Sequence, residues 1–356
     1  MQSKPYSLMK KTVPLQLELF QFLGDDDKDQ HSNSVAYHAL LPRFVWNSGK
    51  IKREASVSGN FLSLPTITRQ CQMSGVDYEV TIRPARLKRA DGVEVDYYPG
   101  EREQIIEMAA LRLAIKKQRM QLVDRKFAGV TFKLNELREE LKSIKHTFSF
   151  AEIKQAIEVG AGCLITTTRE GEVLVASPMF PVTGINQKQP DGSCITFLMF
   201  DPILIASIEK MEFRQLDYVL STSFKSYIAR HIHFRMVHNF TQAALTHAYS
   251  FWASTIIRDA AVPHARLRDA LGAVRDGIQE LKNKGVIMGG EKPSRTKTGS
   301  RPNAVVDEFY DLMPSPDFVR EQKRSNAIAW QLERRAQGAV AASRERQDEA
   351  TRRRLR

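Results

Sequence analysis

Between positions 265 and 283, apolar residues fall at Leu267, Leu271, Val274, Ile278 and Leu281, spacings of four, three, four and three. At about 100° per residue these five share one side of a helix. The polar positions are sorted as well. Arg268, Arg275, Gln279 and Lys282 fall on one flank with Gly272 among them, while Asp269, Asp276 and Glu280 fall away from it. A shorter helix is predicted over 249–260, joined to this one by the turn Ala261-Val262-Pro263-His264, and a long helix over 221–240 precedes both. Gly285-Val286-Ile287-Met288 reads as a strand, and 305–312 as the strand that returns. Between them, Lys292, Arg295, Lys297 and Arg301 stand among Gly, Ser, Thr and Pro, which makes a basic wing.

The same order occurs earlier in the chain. Ile105, Ala109, Leu113 and Lys116 follow a helical rise within 100–121, and 134–141 is a second helix. Ser149 and Glu152 form a capping box that opens a third, with Phe150, Ile153 and Ile157 as its inner face and Gly160 and Gly162 as its stop. Strands over 163–168 and 173–180 flank the turn Arg169-Glu170-Gly171-Glu172, and 194–200 follows a polar loop with Pro190-Asp191-Gly192. The expected class is α+β, mainly helical, with two tandem winged helices. Residues 1–99 read as an N-terminal arm with a few irregular strands, among them 87–97 around Asp91-Gly92. The first winged helix spans 100–208 and the second 209–313. Residues 314–356 read as a basic tail, a frayed helix or disordered chain, ending Arg352-Arg353-Arg354-Leu355-Arg356.

Charge then sharpens the picture. The 356 residues carry a formal net charge of +12, with a pI near 9.6. That balance favours a polyanionic partner, and nucleic acid is the commonest. Arginine pairs bidentately with guanine and glutamine with adenine, so Arg268, Arg275 and Gln279 are candidate base readers. His264 and Arg266 stand at the helix start for phosphate or base contact. Lys282 and the wing cations Lys292, Arg295, Lys297 and Arg301 would track phosphates. The plain alternative is a solvated amphipathic helix. The third helix of the first half exposes Glu152, Lys154, Gln155 and Glu158, nearly balanced in charge. It suits protein contact, such as dimerisation, better than phosphates.

Other chemistry is sparse. Cys71, Cys163 and Cys194 lie far apart, with no metal-ligand spacing, so neither a metal nor a disulfide framework is expected. There is no Gly-x-x-x-x-Gly-Lys-Ser/Thr loop, and no other catalytic signature or cofactor motif. The longest apolar stretch, 196–208, is broken by Asp201-Pro202, and no secretory signal is evident, so a cytoplasmic protein is expected. His231-Ile232-His233 has the residue pattern of a metal-dependent nickase, but on a helix the two histidines would point about 200° apart. Gln16-Leu17-Glu18-Leu19-Phe20 matches the short peptide that docks on bacterial sliding clamps, with Gln16, Leu17, Leu19 and Phe20 as its contacts. A buried strand would read the same way, and both readings stand.

These features together resemble plasmid replication initiators of the Rep type, close to the TrfA-like initiators. The resemblance is carried by Leu15-Gln16-Leu17-Glu18-Leu19-Phe20, by Ser226-Tyr227-Ile228-Ala229-Arg230, and by Arg275-Asp276-Gly277-Ile278-Gln279-Glu280-Leu281-Lys282-Asn283-Lys284-Gly285-Val286-Ile287. It covers most of 100–312 and the arm, and leaves 50–98 and the tail unmatched. It implies two winged helices that bind double-stranded origin repeats (iterons), open a nearby AT-rich region and recruit host helicase, initiator and sliding clamp. It implies no enzymatic activity or cofactor. The second winged helix would be the main reader, and the first would dimerise or make secondary DNA contact. A plasmid- or phage-encoded transcriptional repressor on the same fold is the alternative.

Overall fold

A computed structural model describes residues 18, 20–21, 30–46, 53–55, 59–63, 65–123, 127–189, 192–263, 266–299 and 305–354. Its helices are α1 (Ala36–Leu40), α2 (Glu101–Lys116), α3 (Leu134–Ser143), α4 (Phe150–Gly162), α5 (Pro202–Glu209), α6 (Tyr218–Ser223), α7 (Tyr227–Asn239), α8 (Ala253–Asp259), α9 (Leu267–Asn283) and α10 (Pro316–Arg354). Among the described residues, four four-stranded sheets and one two-stranded sheet accompany them, so the fold mixes helix and sheet, with more strand than a mainly helical chain.

The largest revision concerns the N-terminal third. Strands Ile67–Met73 and Val76–Arg83 form a hairpin through Ser74-Gly75, both at positive φ. Val76–Arg83 then pairs with Leu164–Arg169, whose other neighbour is Glu172–Ser177. Residues 65–98 thus build the first core and are no loose arm. Tyr78, Val80 and Ile82 face inward while Asp77, Glu79 and Thr81 alternate with them, a period of two that is present in the sequence. The strand Thr183–Lys188 was likewise not expected. It pairs with Cys194–Met199, which pairs with Phe127–Phe132. That last strand, just before α3, therefore does not join the hairpin after α4. In the second half the corresponding strand, Tyr249–Trp252, does join the returning strand Val305–Pro314. The two halves share an order of elements but not a sheet topology.

Local chemistry explains most element ends. Ser149 and Glu152 cap α4 reciprocally, at 3.2 and 2.7 Å. Asp201 ends the apolar run by accepting from the Ile203 and Leu204 amides at the start of α5. Gly160 does not stop α4. It lies inside it, where a Cβ would sit 2.6 Å from the Phe180 ring. Phe150, expected on the inner face, is exposed and carries the Arg138 guanidinium 4.7 Å from its ring centre. The expected helix over 221–240 is broken at Phe224, and Ser226 caps α7 by accepting from the Ala229 amide.

Two hydrophobic cores meet at the strand Phe213–Asp217, where Phe213 belongs to the first and Leu216 to the second. α10, expected as a frayed tail, is a helix that straps both: Phe318 and Val319 enter the second core and Leu332 the first. Arg214 hydrogen-bonds Asn326, the Asn326 amide donates to the Thr241 carbonyl at 2.8 Å, and His31 meets Glu321 at 2.6 Å. Cys71 and Cys163 are buried, which pushes their thiols up to about 12 and about 11. No helix among the described residues is long and apolar enough to cross a membrane.

A buried charge quartet lies where α1 joins α2 and α5. Arg43 bridges Glu107 at 3.0 Å and Asp201 at 3.2 Å, and His38 Nε2 lies 3.2 Å from Glu107 and 3.4 Å from Asp201. His38, Glu107 and Asp201 would suit a cation, but Arg43 bonds both carboxylates and supplies positive charge itself. Burial and Arg43 pull the imidazole pKa down, and the two carboxylates more than offset them, leaving it above the usual 6.5. Burial pushes both acids up, but the cations hold Glu107 and Asp201 below their ordinary 4.5 and 3.8.

Two outcomes follow from this packing. The His38 contribution is fully present below about pH 6.5 and is lost as pH rises through its raised folded value, while the carboxylate contribution is lost as pH falls through their depressed values. His231, His233 and His238, buried with lowered values, gain stability as pH rises and oppose the His38 effect. His38→Gln should therefore make stability rise more between about pH 6 and about pH 8.5 than in wild type, read from urea midpoints; the same pH difference in both proteins would contradict the quartet. Leu332→Ala should lower the unfolding free energy by about 2–4 kcal/mol and Trp330→Ala by under about 0.5. Equal small effects in urea titrations would mean that α10 is undocked.

Candidate nucleic-acid interface

α9 forms where the apolar spacing required it. Ala270, Leu271, Val274, Gly277, Ile278 and Leu281 are its buried side. Leu267, expected in that set, is 40% exposed at the first position of the helix. Gly277 lets α9 lie directly on α7: a Cβ there would fall 3.0 Å from Ile228 Cγ2 and 3.1 Å from the Ala229 nitrogen. Glu280, on the acidic side, accepts from the Lys225 and Ser226 amides at 2.8 and 2.9 Å. A carboxylate beside the first turn of α7 also complements its dipole. α8 is fixed from the other direction. Asp259, buried at its end, is bonded by Arg235 and Arg258 and accepts from the Gln72 amide of the first sheet at 2.9 Å. The first domain thereby holds the helix that leads into the turn.

The basic flank divides into two classes. Arg268 and Gln279 are exposed, and Gln279 donates to the Asn283 side chain at 2.9 Å. Gly272 lies between them, and a Cβ there would meet nothing within 4 Å. Arg275 is not a free base reader. Its Nε donates to Glu308 Oε2 at 3.1 Å, the same oxygen that Tyr310 donates to at 2.6 Å. That bond raises the guanidinium pKa. Lys282 is paired too, at 2.6 Å from Glu291, and holds that carboxyl below its usual range. Arg275 and Lys282 therefore stitch α9 to the strand and loop beyond it. Nothing in the 265–283 pattern pointed to Glu308 or Glu291, because their proximity is tertiary.

A basic strand stands where the wing is expected. Arg295–Thr298 pairs with Val305–Pro314, and all four of its residues are exposed. Gly290, at φ +90°, starts the loop where a Cβ would clash 2.0 Å from the Asp311 carbonyl. Asp311 accepts from Ser250 and Ser294 at 2.5 and 2.6 Å, and Asp307 accepts from the Ser254 amide and hydroxyl at the start of α8. Lys292, Arg295, Lys297 and Arg266 are exposed. His264 and Arg301 lie outside the described residues. Tyr249–Trp252, expected as helix, is strand, as its aromatic residues favour. It brings Trp252 to 4.9 Å from Phe309 under the wing, two residues that the sequence reading did not select.

The remaining expectations separate as follows. Gln16, Leu17 and Leu19 of the clamp-like peptide lie outside the described residues. Phe20 is fully buried, edge-on to Phe213 at 5.1 Å, and its carbonyl accepts from Asn33. It serves the first core, so it cannot also be an exposed clamp anchor in this conformation. His231 and His233 lie on α7, and burial pulls them down to about 3 and about 4. On α4, Glu152 and Glu158 are exposed and Gln155 accepts from Arg102 at 3.0 Å, so no cationic face is assembled there.

No family model and no curated protein matches the chain. Among solved structures, domains 2 and 3 of RctB are similar at a TM-score of 0.43 and 12% identity, covering 79% of this chain and 98% of that one. A second structure of the same RctB domains gives 0.42 and 10%, covering 78% and 98%. The Pi initiator protein in complex with iteron DNA gives 0.36 and 12%, covering 61% and 92%. These likenesses are distant and carry no residue-level correspondence.

The pinned arginine gives a direct test. Arg275 is 46% exposed, so solvent screening limits its pair with Glu308 to about 1 kcal/mol. Arg275→Ala should cost about that much in wild-type protein and much less in a Glu308→Gln background. Additive losses in a denaturant double-mutant cycle would break the pairing.

Proposed function

We propose that this chain is a sequence-specific double-stranded DNA-binding protein that initiates plasmid replication by assembling on origin repeats. One observation supports the reading: the open strip Arg268-Gly272-Gln279 and the exposed strand Arg295–Thr298 stand on elements tied to each other by the Arg275–Glu308 and Lys282–Glu291 pairs. We read α7, α8, α9 and the two strands that follow as a winged helix, and the first half as a variant of it with extra strands.

In this reading α9 enters the major groove. Arg268 pairs with guanine and Gln279 exchanges its Asn283 bond for adenine, while Gly272 lets the backbone approach closely. Arg266, Lys292, Arg295 and Lys297 contact phosphates and set register. Arg275 and Lys282, neutralised by their acids, hold the reading helix at a fixed angle to the wing. The first domain, clamped to α8 through Gln72 and Asp259, is the scaffold and the surface for a second copy or for host replication proteins. Work is done by stoichiometric assembly and origin opening in the cytoplasm, not by catalysis. Sliding-clamp recruitment would need the arm before Phe20, since Phe20 itself is committed to the core.

The direct check is binding to the direct repeats flanking the coding region. Arg268→Ala or Gln279→Ala should cost about 1–3 kcal/mol on such a repeat and little on random duplex. Equal loss on both would reassign them to phosphate contact. With roughly six phosphates neutralised, the log–log salt slope should lie near −5. Permanganate-reactive thymines beside the bound repeats are expected for an initiator, and their absence would favour a repressor.

A further inference from the structure

We propose that Trp252 and Phe309 are positioning residues that hold two wing cations in place for the DNA backbone; this rests on the wing's contacting DNA. Phe309 lies on the returning strand with Trp252 opposite it on one side and Arg295 on the other. The two rings meet edge to face, 62° apart. The Arg295 guanidinium lies 3.9 Å from the Phe309 centroid, and Lys297 Nζ lies 4.0 Å from the centroid of Trp252.

The contrast with α9 gives this geometry its meaning. Arg275 and Lys282 are ordered by carboxylates, which also cancel their charge. Arg295 and Lys297 are exposed and stand in no salt bridge within 4 Å of a described residue, although Arg295 is close enough to Asp311 to help hold that carboxyl below its usual range. A ring face attracts a cation through its quadrupole and leaves the net charge intact. Long flexible cations are thus restrained before binding, so less freedom is lost when phosphate arrives, while their full charge remains available to it. Acids fix the cations that set helix angle, and rings fix those that meet the polyanion.

The probe is a random-sequence duplex of about three helical turns at moderate salt, since backbone contact does not depend on sequence. Trp252→Leu keeps an apolar filler without a ring, and Trp252→Phe keeps a ring. Trp252→Leu should weaken binding about three- to tenfold, Trp252→Phe much less, both with thermal midpoints near wild type. In a Lys297→Ala, Arg295→Ala background, Trp252→Leu should add almost nothing. Full additivity, or equal losses for Leu and Phe, would overturn the positioning role while leaving DNA binding in place. If Lys297→Ala with Arg295→Ala does not weaken binding, the wing reading itself fails. Should Trp252→Leu be unstable, Phe309→Leu applies the same cycle through Arg295.

Discussion

The contact of α9 with α7 is the constraint from which the rest of the interface follows. Gly277 permits backbone-level approach to Ile228 and Ala229, and Glu280 closes the join by taking the two amides at the start of α7. Once that side is buried, the rotation of α9 is fixed and Arg268, Gly272 and Gln279 have to face outward. A one-residue roll would bury Arg268 or expose Leu271, and either change is expensive. Glu280 on the acidic side is therefore part of the packing, while Asp269 and Asp276 stay exposed.

Charge is used in two ways around that helix. Arg275 and Lys282 are consumed by Glu308 and Glu291, so their value is geometric. Arg295 and Lys297 rest on aromatic rings and keep their charge. The excess of Lys and Arg over Asp and Glu in the composition does not distinguish these cases, because only the tertiary partner decides whether a cation is a strut or a contact. A similar economy operates inside each half. Arg43 with Glu107 and Asp201 in the first, and Arg235 with Asp259 in the second, are pairs whose disruption would strand a charge, and Asp259 also accepts from the Gln72 amide across the two halves.

What was legible in the chain was local and periodic. The buried side of α9, the Ser149–Glu152 box, the Glu170-Gly171 turn and the Asp201-Pro202 break each depend on neighbours within a turn or two. Tyr249–Trp252 was read as helix because it continues into α8, although its aromatic alternation already favoured a strand. Val76–Arg83 has a clean period of two, but the residues around it lack regularity, which hides the sheet it belongs to. Other features were out of reach in physical terms. Phe20 meets Phe213 across nearly two hundred positions, and α10 is anchored by Phe318 and Leu332 in different cores, so neither its docking nor its order shows in an Arg-rich, weakly patterned stretch.

The central claim is that duplex DNA lies against the open strip of α9. A photo-crosslinker carried on a cysteine at position 272 tests it most directly, since an added side chain there meets no protein atom within 4 Å. The same label at Glu158 on α4 is the comparison. Crosslinks to duplex from 272 and none from 158 are the result this account predicts; crosslinks from 158 with 272 silent would contradict it.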